Sequence, residues 1–267
     1  MSFTPVIAST GYQAWQMLSR TKDRQMEVFG NTAEMHRDEA YFRENIGKVG
    51  TAADLVADRR LLKVALSAFG LEGDMNNRAF IRKILEDGTL KSGALSSRLA
   101  DKRYAQFSRA FGFDLGVPRT KVSGFAEDVL NNYRVKSFEA AVGEVAPSMR
   151  LALAAQRELP EIAAGTDTAT TKWYRILGSP PLRKVIEVAF GLPTSFAAIG
   201  LDQQLTAVKA KANSVLGSDD PAVLANGPTL DKVIRLFTLR DAAQTQVTDS
   251  RQFALQMLSS MPRRRVR

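Results

Sequence analysis

The sequence predicts an all-α protein, an irregular multi-helix bundle with related helix, Phe-Gly turn, helix units. Three observations carry that prediction. Apolar residues recur at helical spacing along most of the chain, as in Leu62, Leu66 and Phe69 at i, i+4 and i+7, with Leu61 and Ala65 widening the stripe. No convincing run alternates β-branched and aromatic residues with polar ones. One helix-ending device is also written three times, in ADRRLLKVALSAFGLEGD, ADKRYAQFSRAFGFDLG and PPLRKVIEVAFGLPTS.

Taken in order, residues 12–45 are rich in Gln, Arg, Glu and Met and carry only a sparse apolar stripe through Trp15, Leu18, Met26 and Phe29. In the first Phe-Gly unit Asp58 is placed to N-cap a helix that ends at Phe69. Gly70 stands where a left-handed residue costs no Cβ clash, and Leu71 can fold back on the last turn. Residues 76–86 are amphipathic through Phe80, Ile81, Ile84 and Leu85 and stop at Gly88. The second unit has Asp101 as cap, Tyr104, Phe107 and Phe111 as apolar edge, Gly112 as terminator and Phe113 as the returning residue. Residues 121–157 follow, broken near Gly143 and Pro147, then residues 168–176. In the third unit Pro181 fits the first helical turn, Leu182, Val185, Ile186 and Ala189 lead to Phe190 and Gly191, and Pro193 prevents continuation past Leu192. Residues 203–216 end at Gly217, and residues 230–240 follow a loop around Asp220-Pro221 and Gly227-Pro228. Val247, Ala254, Leu258 and Met261 then sit at heptad-like steps interrupted by Arg251.

This reading gives eight to eleven helices in four regions. They are an N-terminal polar helical segment (1–45), a helical region with two Phe-Gly units (46–143), another with the third unit (144–241), and a C-terminal helix with a basic tail (242–267). Regions 46–143 and 144–241 also read as one domain, 46–241. The terminating glycines are 42 and 79 residues apart, steps too unequal for a regular solenoid. Phe69, Phe111 and Phe190 are expected to be buried, and with Asp58, Gly70, Asp101, Gly112 and Gly191 they are structural residues.

At 267 residues, 45% hydrophobic and 24% charged, the chain has the composition of an ordinary globular protein. No window approaches ~18 consecutive apolar residues, so no membrane span is expected. The beginning, MSFTPVIASTGYQAW, lacks the basic and apolar regions of a cleaved secretory signal, which leads to a cytoplasmic or flagellum-associated expectation once the resemblance below is added. Zero cysteines exclude disulfides and thiolate chemistry. A net charge of +9 favours an acidic partner, although the only dense basic run is PRRRVR at the end.

Reaction chemistry is not visible. The single histidine, His36, lies in a strongly polar stretch and reads as a solvated surface residue. Glu127 and Asp128 are adjacent on a helix and diverge, and no G-x-S-x-G turn appears. NIGKVGT lacks the spacing of a phosphate loop, and GLEGDMNN lacks the central Gly and closing Glu of a calcium loop. No catalytic residue, cofactor or metal ligand is therefore assigned. Arg78, Arg82 and Lys83, or Arg183 and Lys184, can meet phosphates, but no nucleic-acid signature accompanies them.

The run DLVADRRLLKVALSAFGLEGDMNNRAFIRKILEDG, with YFRENIGKVGTAADL ahead of it, resembles a family of uncharacterised alphaproteobacterial proteins known only as a domain of unknown function. KWYRILGSPPLRKVIEVAFGLP followed by LDQQL resembles a second block of that family, so that the resemblance covers most of residues 40–240. Proteins of this kind are often encoded among flagellar genes, and the resemblance implies a flagellar setting with no activity to carry over. The expected function is a non-enzymatic structural or protein-interaction role in flagellar assembly or motility, the alternative being a nucleic-acid or anionic-surface binder. Candidate contact residues are the apolar residues expected to be exposed near the ends, Trp15, Met26, Phe29, Leu258 and Met261, with Arg263, Arg264 and Arg265 steering an acidic protein partner. Pairing of the ends between subunits leaves an oligomer open.

Overall fold

Thr32 and Pro147 decide where the two longest expected helical stretches break. In the computed structural model, which describes the backbone of residues 3–260 and the side chains of residues 3–246, the Thr32 side chain accepts the Met35 N–H and starts a new helix. Ala146, ahead of Pro147, is held extended at φ −145°, because a proline crowds the helical conformation of the residue before it.

Among the described residues there are 13 α-helices and no strand. They are α1 (Gly11–Gly30), α2 (Ala33–Asn45), α3 (Ala52–Ala57), α4 (Arg59–Ala68), α5 (Arg78–Asp87), α6 (Leu95–Arg98) and α7 (Arg103–Phe111). Then come α8 (Phe125–Val145), α9 (Pro147–Ala164), α10 (Ala169–Leu177), α11 (Pro180–Phe190), α12 (Leu201–Leu216) and α13 (Gly227–Ser260). The fold class is as expected, and the helix count exceeds eight to eleven because residues 12–45 split in two and because α3 and α6 are short pieces with little periodicity to read.

The apolar side chains collect in two cores. One lobe gathers α2 to α5, α7 and the first half of α8, around Phe42, Leu62, Ile84, Phe107 and Phe111. The other gathers α1, the second half of α8 and α9 to α13, around Trp15, Leu159, Trp173, Ile186 and Phe237. α8 serves both, with Phe125, Val129, Leu130 and Tyr133 in the first lobe and Phe138 and Val142 in the second. The boundaries expected at 143/144 and 241/242 both fall inside helices, α8 and α13, and the polar segment 1–45 is shared between lobes, α1 going to one and α2 to the other.

Polar contacts close the junction. Arg157 makes a two-pronged bond to Glu139 at 2.9 Å on both arms, Lys136 reaches Glu158 at 2.8 Å, and Arg150 pairs with Glu72 across the lobes. The Lys102 N–H donates to the Gly178 carbonyl at 2.9 Å. A Cβ on Gly178 would stand 2.8 Å from Lys102 Cγ, so the lobes approach here at a distance that suits glycine alone.

The three Phe-Gly ends are related but not identical. After α4 the Leu71 N–H bonds the Leu66 carbonyl (2.9 Å) and the Gly70 N–H that of Ser67 (3.0 Å), the paired bonds of a Schellman motif. After α11, Leu192 to Glu187 (2.8 Å) and Gly191 to Val188 (3.1 Å) repeat it. After α7 a single bond, Gly112 N–H to Ser108 (2.9 Å), makes the simpler left-handed cap. Asp58 caps α4 as expected, accepting the Arg60 and Leu61 N–H groups. Asp101 does not occupy the cap position. Lys102 does, and the Asp101 carboxylate one residue earlier accepts the Arg103 N–H at 3.0 Å and grips the Arg103 guanidinium, which drew it away from a standard cap. Phe111 and Phe190 are buried, whereas Phe69 is only partly so, its ring meeting Phe107 edge-on (5.3 Å) and Phe111 at a tilt (6.4 Å) at the lobe's margin.

Candidate protein-docking surface

α1 has one face in the core and two flanks that are not filled. Trp15, Leu18 and Ala14 face inward and are buried, so Trp15 is a core anchor and not the exposed contact residue expected. The stripe looked sparse because only the first half of α1 packs deeply. Beyond Leu18 the helix carries partly exposed side chains, and these border two hollows, one on each flank.

Along one flank the chain ahead of α1 forms a strap. The Val6 N–H donates to Gln25 Oε1 (2.9 Å), and Gln25 Nε2 donates to the Val6 carbonyl (3.2 Å) and to Thr21 Oγ1 (2.8 Å). The Thr21 hydroxyl in turn donates to the Met17 carbonyl at 2.9 Å, so a chain of bonds fixes the amide that holds the strap. Strap and helix enclose a groove of about 530 Å³, with Phe3, Val6, Met17 and Val28 as its apolar lining and Arg24 as its one charged side chain. Val6 and Val28 are each more than half exposed.

On the other flank, toward α8, Met26 lines with Val135, Phe138 and Leu153 a second hollow of about 270 Å³, whose charged lining is mixed, Lys22 and Arg157 with Asp23 and Glu139. Phe29 joins Phe3 and Phe138 in a ring cluster with centroids 5.3 to 6.2 Å apart, which pins the strap to the body. Met26 and Phe29 are thus brought together, half-buried, while Trp15 stands apart from them. Leu258, Met261, Arg263, Arg264 and Arg265 lie outside the residues whose side chains are described.

Val6, Met17 and Val28 were not anticipated. The signal existed: Met17, Thr21, Arg24 and Val28 stand at i, i+4, i+7 and i+11, a second stripe whose polar members hid it.

Several polar groups of the first lobe are engaged with one another. Buried Asp38 accepts Lys63 Nζ (2.8 Å) and the Tyr133 hydroxyl (3.0 Å); burial first, then the Asp38 charge, pushes the Tyr133 phenol well above its usual range. Tyr104 donates to Asp74 at 2.6 Å, so the acidic loop once comparable to a calcium site anchors a helix instead, and burial with that bond raises the phenol to about 12. The last residue of NIGKVGT, Thr51, forms a capping box with Asp54 at the start of α3. His36 is exposed on α2. Among the described residues no group of three or more His, Cys, Asp or Glu is placed to hold a metal ion, and no helix is long and apolar enough to cross a membrane. What the surface can do chemically is bury apolar side chains of another molecule.

Comparison with known proteins bears on the whole chain. The X-ray crystal structure of a protein from Agrobacterium tumefaciens matches with a TM-score of 0.71 at 26% identity, covering 91% of this chain and 98% of that one. No curated protein gives a significant match. A family model described as "Protein of unknown function (DUF1217)" matches residues 68–224, from the end of α4 to the turn before α13. Since that match spans more than half of the sequence and runs through both lobes and all three Phe-Gly pairs, the chain belongs to the DUF1217 family.

Proposed function

We propose that this protein is a non-enzymatic protein-interaction protein of flagellar assembly or motility, and that it takes an acidic amphipathic helix of a partner into the strap groove of α1. The observation that carries the docking half is the groove itself: an apolar floor about 530 Å³ in volume, fixed by the Gln25 amide, with Arg24 as its one charge. A helix laid there would bury Val6 and Val28, and Arg24 favours acidic residues at its edge. The flagellar half rests on the resemblance of YFRENIGKVGTAADL and KWYRILGSPPLRKVIEVAFGLP to proteins encoded among flagellar genes.

The test is affinity capture from motile cells with the full-length protein and a Val28→Asp variant. Val28 is exposed, so the substitution places a charge on the groove floor without touching a core. Flagellar components recovered with the native chain and lost with the variant support the proposal. Equal recovery by both removes the groove from it, and recovery of nothing flagellar by the native chain removes the flagellar setting. Deleting residues 1–45 is not a usable test, because Trp15, Leu18, Met35 and Phe42 belong to the two cores.

A further inference from the structure

The two most exposed large aliphatic side chains, Leu90 and Val117, lie outside the α1 groove, on loops of the first lobe. Leu90 is 79% exposed, Val117 72%, Val122 56% and Leu115 54%. They come from two loops, 88–94 and 112–124, that the structure holds together. The Thr89 N–H donates to Asp114 Oδ2 at 3.4 Å, and a Cβ on Gly88 would stand 1.9 Å from the same oxygen. Leu115 and Arg119 both lie against Gly112, at 3.2 and 3.1 Å from where its Cβ would be. The Thr120 hydroxyl donates to the Val49 carbonyl at 2.7 Å and fastens the second loop to the body.

The cations interleaved with these side chains are Lys91, Arg119 and Lys121, all exposed. Lys91 stands 4.0 Å from Asp87, whose charge Lys83 meets at 2.7 Å. The three Phe-Gly glycines sharpen the contrast. Arg103 and Arg240 lie over Gly70 and Gly191 and donate to helix-end carbonyls, Gly70 and Ala189 respectively. Arg119 lies over Gly112, and among the described residues its guanidinium makes no such bond and no ion pair.

From this juxtaposition we infer that the tip formed by Leu90, Leu115, Val117 and Val122 with Lys91, Arg119 and Lys121 is a contact site for an anionic lipid bilayer surface. Aliphatic side chains on loop tips enter the acyl boundary while flanking lysine and arginine meet lipid phosphates, and the two contributions add. A nucleic acid is the poorer fit: single strands are held by stacking on exposed aromatic rings, and the exposed apolar residues here are aliphatic. The site is separate from the α1 groove and does not depend on it.

Flotation of the purified full-length protein with phosphatidylcholine vesicles, with and without phosphatidylglycerol, tests the inference. The native chain is expected to bind only the anionic vesicles. The pairs Leu90→Ser with Val117→Ser, and Arg119→Gln with Lys121→Gln, are each expected to weaken that binding by about tenfold. A triple Arg263→Gln, Arg264→Gln, Arg265→Gln variant separates the tip from the basic tail and is expected to keep most of the binding. Because the chain has no cysteine, Val117→Cys allows one environment-sensitive fluorophore at the tip, whose emission should shift to the blue on anionic vesicles and not on neutral ones. Native binding by the tip variants with loss in the tail variant, an unmoved fluorophore, or an oligonucleotide that binds the Leu90→Ser, Val117→Ser pair as well as the native chain would each overturn the inference.

Discussion

The two lobes use the same way of ending a helix and different ways of filling a core. In the lobe of α1 and α9 to α13 the helices are mostly long, up to the 34 residues of α13, and alanines such as Ala152, Ala155, Ala189 and Ala212 line their contacts. In the lobe of α2 to α7 most helices have ten residues or fewer, and rings close the gaps between them: Phe111 has Phe69, Phe107, Phe113 and Phe125 around it at 5.0 to 6.4 Å. Phe190, its counterpart in the other lobe, meets Trp173 at 6.5 Å. Short helices leave wide angular gaps that a flat, large side chain spans, whereas long helices with small residues approach closely along their length. The Phe-Gly ending is therefore a reusable terminator whose phenylalanine takes its energetic weight from the neighbourhood.

The strongest way to break that comparison is to truncate the phenylalanines. Phe111→Ala, in the middle of the ring cluster, is expected to cost about 3–5 kcal/mol, and Phe190→Ala a similar amount because it too is buried. Phe69→Ala should cost distinctly less, since that ring keeps contact with water. Urea midpoints of the three variants check the order, and a Phe69 penalty equal to that of Phe111 would mean the lobe margin is as rigid as its centre.

The glycines come next. Gly191 and Gly217 both have positive φ, 65° and 81°, so alanine at either is expected to cost about 1–2 kcal/mol. At Gly191 the new Cβ would also stand 3.2 Å from the Arg240 guanidinium, while at Gly217 it meets nothing within 4 Å. Thermal melts should therefore show Gly191→Ala as the less stable of the two, and equal midpoints would show that Arg240 moves aside without loss.

Much of this organisation was legible because the signals are local. A cap, a left-handed glycine and a 3.6-residue stripe are each decided within a few residues, and Asp58, Gly70, Gly112 and Gly191 were readable on that basis. The two-lobe arrangement was not, because it depends on α8 changing partners halfway along, and nothing in the spacing of Tyr133 and Phe138 says that they face different cores. Trp15 was misread for a related reason: a sparse stripe has the same appearance whether the helix is half docked or wholly exposed. The strap groove depends on Gln25 folding residues 3–9 back along α1, a pairing nineteen residues apart that no periodicity encodes.

The lobe junction adds a pH dependence. Burial pushes the Glu158 carboxyl up, but the charges of Lys136 and Arg157 and their hydrogen bonds outweigh it and hold the carboxyl below its usual range. A depressed folded-state value means that the folded chain binds fewer protons than the unfolded one in acid. The contribution is fully present above the unfolded value, about 4.3, and is lost as pH falls through the folded one. Stability followed by urea titration should decline over that acid window, and Glu158→Gln should flatten the decline while lowering stability near neutrality. An unaltered acid slope in the variant would place the sensitivity elsewhere, for instance at Asp58, which is also held low.

The smallest expected effects separate arginines that look alike from above. Arg103 and Arg240 cover a Phe-Gly glycine and donate to carbonyls at the end of the helix, where a cation is favoured, so replacing either by Met should cost about 1 kcal/mol. Arg119 covers Gly112 with its methylene stem alone among the described residues, and Met supplies a comparable stem. Arg119→Met should therefore leave the thermal midpoint within about 0.5 kcal/mol of native. A loss as large as that of Arg240→Met would show that all three ends depend on a cation, making Arg119 part of the scaffold. A neutral result leaves the guanidinium with no structural duty at an exposed tip, which is the condition the lipid contact requires.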